Sequence, residues 1–195
     1  MYKKKNILIV FCGMDGTGKT TLAKKLEEYL TMNKIKSEFI HGHTYTISKN
    51  SFGISDKHII KYRKLFSILT PLALLDNYVN YIFKYRCKLK NKTIISDRYY
   101  YDKVARMIYY GILNKQFAKI YLKLLPKPDL VFFLDVSAKK AFERKKEYTI
   151  RELMRWSKIY KFVSNNINCK IINTNKPLSN SWKLIKNEYV KKRDE

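Results

Sequence analysis

A short glycine-rich segment does most to limit what this chain can fold into. Residues 13–20 read Gly-Met-Asp-Gly-Thr-Gly-Lys-Thr, which matches the pattern G-x-x-x-x-G-K-[ST] of a phosphate-binding loop. The apolar residues 7–12 precede this segment, and leucines recur every fourth position after it at Leu22, Leu26 and Leu30, as on one face of a helix. A strand, a glycine-rich loop and a helix in this order predict that backbone N–H groups and the helix N-terminus bind phosphate.

Each residue type in this phosphate loop (residues 13–20) has a chemical task. We expect Lys19 to reach the β- and γ-phosphates of a nucleotide and the Thr20 hydroxyl to bind Mg²⁺. The other residues expected to surround the nucleotide are Gly13, Asp15, Gly16, Thr17, Gly18 and Thr21. The loop therefore predicts ATP as a phosphoryl donor with Mg²⁺ as its metal.

A second candidate site follows another apolar run. Residues 93–96 are Thr-Ile-Ile-Ser, and Asp97 and Arg98 come directly after them. Ligands of open α/β sheets bind at the carboxyl ends of strands, so these two side chains should lie beside the loop if the two strands are neighbours. Asp97 would then hold Mg²⁺ or orient the attacking group, and Arg98 would bind a phosphate and neutralise charge in the transition state. The alternative is a surface ion pair at a strand end.

The whole chain alternates short apolar runs with longer amphipathic ones. Strand-length runs are residues 7–12, 37–40, 93–96, 130–134 and 170–172, and helical stretches are 19–32, most of 57–89, 102–125, 138–165 and 179–191. Continuous apolar strands that alternate with helices predict a parallel sheet covered on both faces. We expect residues 1–195 to form a single domain.

The charge of the chain suggests an anionic partner. Lys and Arg number 41 against 16 Asp and Glu, a formal net charge of +25, and such a field attracts nucleotides, nucleic acid or acidic membranes. The basic residues are spread along the chain, which favours compositional bias over a dedicated binding arm, and no nucleic-acid motif is visible. A nucleic-acid-binding P-loop NTPase is kept as the alternative from another class.

Other features bear on the compartment. No apolar run approaches the roughly 20 residues of a membrane span. The lysines at 3–5 and the apolar residues 7–12 resemble a signal peptide only superficially, because the apolar stretch is short and the phosphate loop follows at once. Cys12, Cys87 and Cys169 are odd in number and far apart, which is typical of a reducing compartment. We expect a cytoplasmic protein without membrane contact.

Four stretches of the chain match one family in their order and residues. They are residues 11–21, Asp97-Arg98-Tyr99, residues 128–136 and the basic stretch that begins Glu143-Arg144. Over most of its length the chain resembles the thymidylate kinases among the P-loop nucleoside-monophosphate kinases. The resemblance implies a three-layer α/β fold with a five-stranded parallel sheet in the order 2-3-1-4-5. It also implies transfer of the γ-phosphoryl group of ATP to dTMP with Mg²⁺, in a homodimer that pairs through the helices of residues 57–89.

The resemblance assigns roles to individual residues. Lys19 and Thr20 keep their tasks in the phosphate loop, and Asp15 matches the acidic loop residue that contacts the 3′-hydroxyl of the acceptor. Asp97 matches the carboxylate near Mg²⁺ and the acceptor. Arg98 matches the arginine that binds the acceptor phosphate.

The family also has a mobile lid with catalytic arginines, which this resemblance places at about residues 143–155. Gly16 stands where one branch of the family has an arginine in the loop. Members without that arginine supply it from the lid, so Arg144 and Arg151 are the expected catalytic arginines. A solvated helix face is the alternative for this basic run.

The acceptor side departs from the family. Asp76 stands where an ungapped count places an arginine that contacts base and phosphate, and Asp102 and Met107 stand where a serine and a base-reading glutamine are usual. Residues 41–44, His-Gly-His-Thr, replace a Thr-Arg-Glu-Pro loop, and these histidines face the substrate, cap the sheet edge or bind a metal. The acceptor is therefore dTMP in a different pose, another nucleoside monophosphate, a nucleoside or another hydroxyl or phosphate compound. Tyrosines 99–101 either stack on its base or pack in the core.

Overall fold

The computed structural model describes residues 6–42, 60–90 and 92–195. Its strands are β1 (Leu8–Cys12), β2 (Ser37–Ile40), β3 (Thr93–Ser96), β4 (Leu130–Asp135) and β5 (Lys170–Asn173). They form one five-stranded sheet in the order β2-β3-β1-β4-β5, and every neighbouring pair is parallel. The fold class and strand order expected from the sequence are confirmed.

Helices occupy most of the chain between these strands. They are α1 (Lys19–Met32), α2 (Arg63–Ile68), α3 (Thr70–Tyr81), α4 (Tyr100–Tyr109), α5 (Lys115–Leu124), α6 (Ala138–Arg144), α7 (Ile150–Ser164) and α8 (Leu178–Asp194). Helix α3 continues through a π-helical turn, Ile82–Arg86, into the short helix Cys87–Leu89. None of the helices in the described ranges is both long enough and apolar enough to cross a membrane.

The sheet is buried on both faces because successive side chains of a strand point in opposite directions. On one face, Ile9 and Phe11 of β1 pack with Leu22 of α1 and Ile185 of α8. On the other face, residues that include Leu8 and Val10 pack with α4, α5 and α7. These two cores explain why β1 reads as an unbroken apolar run in the sequence.

Two predicted helices are each divided in the structure. The stretch 102–125 breaks after α4, where Gly111 adopts a φ of 70° and the N–H of Ile112 donates to the carbonyl of Met107 at 2.9 Å, a common helix ending. The stretch 138–165 breaks between α6 and α7, where Thr149 caps α7 by accepting from the N–H of Glu152. The prediction of continuous helices was wrong because apolar spacing persists across both breaks, whereas the capping residues end them.

Candidate active site

The phosphate loop connects β1 to α1 with a backbone that only glycine accommodates at two points. Gly13 and Gly16 have φ values of 143° and 82°. A Cβ atom on Gly13 would lie 2.5 Å from the carbonyl oxygen of Leu134, and one on Gly16 would lie 2.7 Å from that of Ala141. The loop is therefore held tightly between the ends of β1, β4 and α6, and α1 begins directly after Gly18.

Lys19 lies across the inside of this loop. Its Nζ donates to the carbonyl oxygens of Gly13 and Met14 at 2.7 and 2.8 Å, and it lies 3.6 Å from a carboxylate oxygen of Asp15. Burial lowers the pKa of Lys19, while the charge of Asp15 acts in the opposite direction. The ammonium group therefore lies buried inside the phosphate loop, against its carbonyl oxygens.

Asp97 joins β3 to the loop and to the end of β2. It is 1% exposed, and its Oδ2 accepts from the Thr20 hydroxyl at 2.8 Å and lies 2.7 Å from His41 Nδ1. Its Oδ1 accepts from the backbone N–H of Gly42 at 3.1 Å. The sequence predicted that Asp97 would lie beside the loop if the two strands were neighbours, and the structure pairs β1 with β3 and places Asp97 against Thr20. His41 enters the same cluster, and His43 lies outside the described residues.

Asp15 and Arg98 form an ion pair beside the loop. Arg98 Nη2 donates to Asp15 Oδ1 at 2.7 Å, and both side chains are partly exposed. Burial works against both charges, yet Lys19 and Arg98 lower the pKa of Asp15, and Asp15 and Asp102 raise the pKa of Arg98. A carboxylate and a guanidinium are thus held ionised next to the loop.

Asp102, in the first turn of α4, contacts the backbone of the phosphate loop. The sequence did not predict this contact. Its carboxylate is buried and accepts from the backbone N–H of Gly13 at 3.4 Å, from the N–H of Tyr99 at 2.9 Å and from the Tyr160 hydroxyl at 3.0 Å. The available signal was the position of an acid in the first turn of a helix, where a carboxylate binds free N–H groups.

The two expected lid arginines occupy different positions. Arg144, at the end of α6, donates to the carbonyl oxygens of Gly16 at 3.2 Å and Thr174 at 2.7 Å. Arg151 lies exposed in the first turn of α7. The structure therefore brings Arg144 to the phosphate loop. The range 143–155 comprises the end of α6, a connection and the start of α7.

The tyrosines after Arg98 belong to the core. Tyr99, Tyr100 and Tyr101 are buried, and the Tyr99 hydroxyl donates to the carbonyl of Pro126 at 2.8 Å. Met107 is buried among them on α4. Asp76 lies on α3, where its Oδ1 accepts from Asn80.

Comparison with known proteins gives one consistent result. The thymidylate kinase family model matches residues 11–186. A probable thymidylate kinase of Methanococcus maripaludis is 33% identical over 141 residues, which cover 71% of this chain and 65% of that protein. Probable thymidylate kinase 1 of Saccharolobus solfataricus is 29% identical over 182 residues, 87% and 89% of the two chains. The thymidylate kinase of Plasmodium falciparum is 34% identical over 139 residues, 69% and 63% of the two.

Proposed function

Because the chain belongs to the thymidylate kinase family, we propose that it transfers the γ-phosphoryl group of ATP to dTMP. The arrangement that supports this proposal is the meeting of Thr20 with Asp97 and of Asp15 with Arg98 around one phosphate loop. The chain matches 65% of the length of the M. maripaludis relative. Because the match is partial, we propose the activity, substrates and partners of this chain and do not take them from that relative.

The donor side consists of the loop and the start of α1. Backbone N–H groups of the loop and the N-terminus of α1 bind the phosphate oxygens of ATP, and Lys19 neutralises charge on the β- and γ-phosphates. Gly13, Gly16 and Gly18 keep the backbone open, since each has a positive φ. Catalysis by such a site is positioning and charge stabilisation, without a covalent nucleophile.

The residues at the metal position fit Mg²⁺. The Thr20 hydroxyl and the Asp97 carboxylate meet at 2.8 Å, and both offer the oxygen ligands that Mg²⁺ prefers. Thr20 would bind the ion directly, and Asp97 would hold it directly or through its water molecules. When bound, Mg²⁺ would neutralise negative charge on the phosphates of ATP.

The acceptor side lies around Asp15 and Arg98. Arg98 binds the acceptor phosphate through its guanidinium fork, and Asp15 accepts from the sugar 3′-hydroxyl. Their mutual ion pair orients both groups before the acceptor arrives. Asp97 also keeps the end of β2 in place by accepting from the backbone N–H of Gly42.

A lid formed by residues 143–155 completes the proposed site within a single domain. Arg144 supplies the transition-state charge, because its guanidinium already contacts the loop carbonyl of Gly16. Arg151 is the second candidate and would need a movement of the segment to reach the loop. Closure of the lid excludes water and suppresses hydrolysis of ATP.

We also infer a homodimer in the cytoplasm. Leu65, Ile68, Leu72, Leu75, Val79 and Ile82 are exposed along α2 and α3 and the turn that follows. Their alternating spacing of three and four residues is that of a coiled-coil seam, and they will be called the apolar seam. A second copy of the chain would bury this stripe against itself.

The test is transfer of labelled γ-phosphate from ATP with Mg²⁺ to dTMP, dUMP, the other nucleoside monophosphates and free nucleosides. Selective labelling of dTMP supports the proposal. Labelling of another acceptor alone overturns the substrate, and tight salt-sensitive nucleic-acid binding without transfer would favour a P-loop NTPase of a different class. Lys19→Ala should lower turnover by at least about 100-fold, while Lys24→Ala, an exposed lysine of the same helix, should leave it unchanged.

A further inference from the structure

His41 directly follows β2, and the proposed function gives this residue no task. Strand β2 lies at the edge of the sheet and pairs in parallel with β3, where Ile40 lies opposite Ser96. The residues that follow these two, His41 and Asp97, are therefore neighbours at the carboxyl ends of the strands. The sequence alone is compatible with a histidine that faces the substrate, caps the sheet edge or binds a metal, and the contacts of the ring decide between these roles.

The imidazole ring of His41 contacts the Asp97 carboxylate through one defined atom. Its Nδ1 lies 2.7 Å from Asp97 Oδ2, a distance typical of a charge-assisted hydrogen bond. A carboxylate accepts hydrogen bonds and does not donate them, so Nδ1 carries the hydrogen. The His41 side chain is 46% exposed, whereas that of Asp97 is 1% exposed. His41 is therefore a donor at the protein surface that reaches a buried acceptor.

The backbone of the next residue holds the other oxygen of the same carboxylate. The N–H of Gly42 donates to Asp97 Oδ1 at 3.1 Å. A Cβ atom at residue 42 would overlap the carbonyl oxygen of Arg98 and the hydroxyl of Ser96, so glycine is needed for this close approach. Two consecutive residues after β2 thus bind the two oxygens of Asp97, which restricts rotation of the carboxylate.

The oxygen that His41 contacts also meets the phosphate loop. Asp97 Oδ2 accepts from the Thr20 hydroxyl at 2.8 Å. A hydroxyl has one hydrogen and two lone pairs, so Thr20 can donate to Asp97 and still offer its oxygen to a cation. The direction of that lone pair depends on where Asp97 Oδ2 lies, and His41 is the second donor that holds this oxygen.

The same geometry argues against His41 as a metal ligand. The nitrogen that faces Asp97 bears a hydrogen and has no lone pair for a cation. Among the residues that the structure describes, no three histidine, cysteine, aspartate or glutamate side chains are arranged to hold a metal ion. His41 therefore acts on its surroundings through Asp97.

We propose that His41 is a positioning residue for Mg²⁺, whose Nδ1–H holds Asp97 Oδ2 against Thr20 in the orientation that receives the ion. Removal of a hydrogen-bond partner of a metal-binding carboxylate typically lowers metal affinity or activity by about 10- to 100-fold. The inference rests on the proposed function, because it takes Mg²⁺ to bind at Thr20 and Asp97.

The test compares three substitutions that differ in where they place a donor. His41→Asn places an amide N–H near the position of Nδ1, His41→Gln places it further out, and His41→Leu has none. The Mg²⁺ concentration for half-maximal phosphoryl transfer should rise about 10-fold or more in the Gln and Leu variants and stay within about threefold of the parent value in the Asn variant. At saturating Mg²⁺, kcat should approach that of the parent protein. Lys36→Leu, at an exposed residue before β2, should match the parent throughout.

A second measurement needs no turnover. Mn²⁺ accepts the same oxygen ligands as Mg²⁺, and its electron paramagnetic resonance signal reports the free ion. With a non-hydrolysable ATP analogue and protein in excess of it, the Kd of Mn²⁺ should rise about 10-fold or more in His41→Leu and recover in His41→Asn. The melting temperatures of the metal-free variants should stay within about 4 °C of the parent, because the His41 side chain is nearly half exposed.

The outcomes separate this inference from the proposed function. If the parent protein phosphorylates dTMP and all three His41 variants need the same Mg²⁺ concentration, the inference is wrong and the function stands. Equal recovery by Asn and Gln would overturn the role of Nδ1. Nitrogen hyperfine coupling to bound Mn²⁺ that disappears in His41→Leu would make the ring a ligand and overturn the positioning role. If no acceptor is phosphorylated, the proposed function fails, and the Mn²⁺ titration decides the inference by itself.

Discussion

Two buried carboxylates, those of Asp97 and Asp102, hold the residues of the candidate site in place. Asp97 binds Thr20, His41 and the backbone of residue 42, and Asp102 binds the backbone of the phosphate loop. Each is held by several donors, which offset the cost of burying a charged group. The loop is therefore positioned by side chains that lie far along the chain from it.

Asp102→Ala should lower the free energy of unfolding by about 2–4 kcal/mol, because it leaves buried N–H and hydroxyl donors without an acceptor. Urea unfolding measures the change. Asp135→Ala is the control, since that side chain is exposed at the end of β4 and its removal should change stability by less than about 0.5 kcal/mol. Equal stability of the two variants would contradict a supporting role for Asp102.

Lys103 makes stability depend on pH in the alkaline range. Its pKa is about 8 in the folded protein and roughly 10.4 in an unfolded chain, so between these values the unfolded chain binds the extra proton. Stability contributed by this site therefore rises as pH increases from about 8 to about 10.4. Asp76 is the charged group that acts on Lys103, and Asn77 Oδ1 accepts from its ammonium at 2.8 Å.

Lys103→Met should remove that rise, measured as the unfolding free energy at several pH values. Lys119→Met should retain it, since its side chain is exposed on α5. Parallel profiles for the parent protein and Lys103→Met would contradict a buried ammonium at this position.

At the scale of elements, the helices before β3 differ from the rest. Most helices of the described chain bury one face on the sheet, whereas α2 buries none of its residues and α3 buries two. The apolar seam instead faces outward, and Leu75 is 64% exposed. A contiguous apolar stripe of this kind marks an interaction surface.

Leu75→Glu combined with Val79→Glu should convert a dimer into a monomer, because it places two like charges opposite their symmetry mates. Sedimentation equilibrium gives the mass. Ile120→Glu introduces a charge at an equally exposed apolar residue of α5 and should leave the dimer intact. A monomeric parent protein at working concentration would rule out pairing through this seam.

The sequence predicted elements better than their connections. The strand, loop and helix of residues 7–32 follow from local pattern, and the strand-end rule brought Asp97 to Thr20. The sequence did not predict the contact of Asp102 with Gly13, because that contact depends on how α4 packs against the phosphate loop. The division of two helices was missed for a similar reason, since capping competes with apolar spacing at each break.

At the scale of the whole molecule, the net charge of +25 acts on every anionic ligand. Near the loop, the Asp15 carboxylate is paired with Lys19 and Arg98, and the Arg144 guanidinium donates to the carbonyl oxygen of Gly16. Long-range attraction adds to these contacts and weakens as salt screens it. The basic surface therefore favours nucleotide capture at low ionic strength.

The KM for ATP should rise by about several-fold between roughly 50 mM and 300 mM sodium chloride, since screening reduces the attraction of the charged nucleotide. Steady-state kinetics at fixed dTMP measures it, with sucrose at matched osmolality as the control. A KM that does not change with salt would mean that the surface charge plays no part in nucleotide binding.

Because β1 is the central strand of the sheet, its position affects when the sheet can form during synthesis of the chain. Leu8 pairs with Ile94 and Ile9 with Leu130, so the strand made first must wait for partners translated much later. Contacts this distant along the chain also slow folding. The phosphate loop also packs closely against the backbone of Leu134 in β4 and of Ala141 in α6. We therefore expect the surroundings of the phosphate loop to stay incomplete in a nascent chain until α6 has left the ribosome.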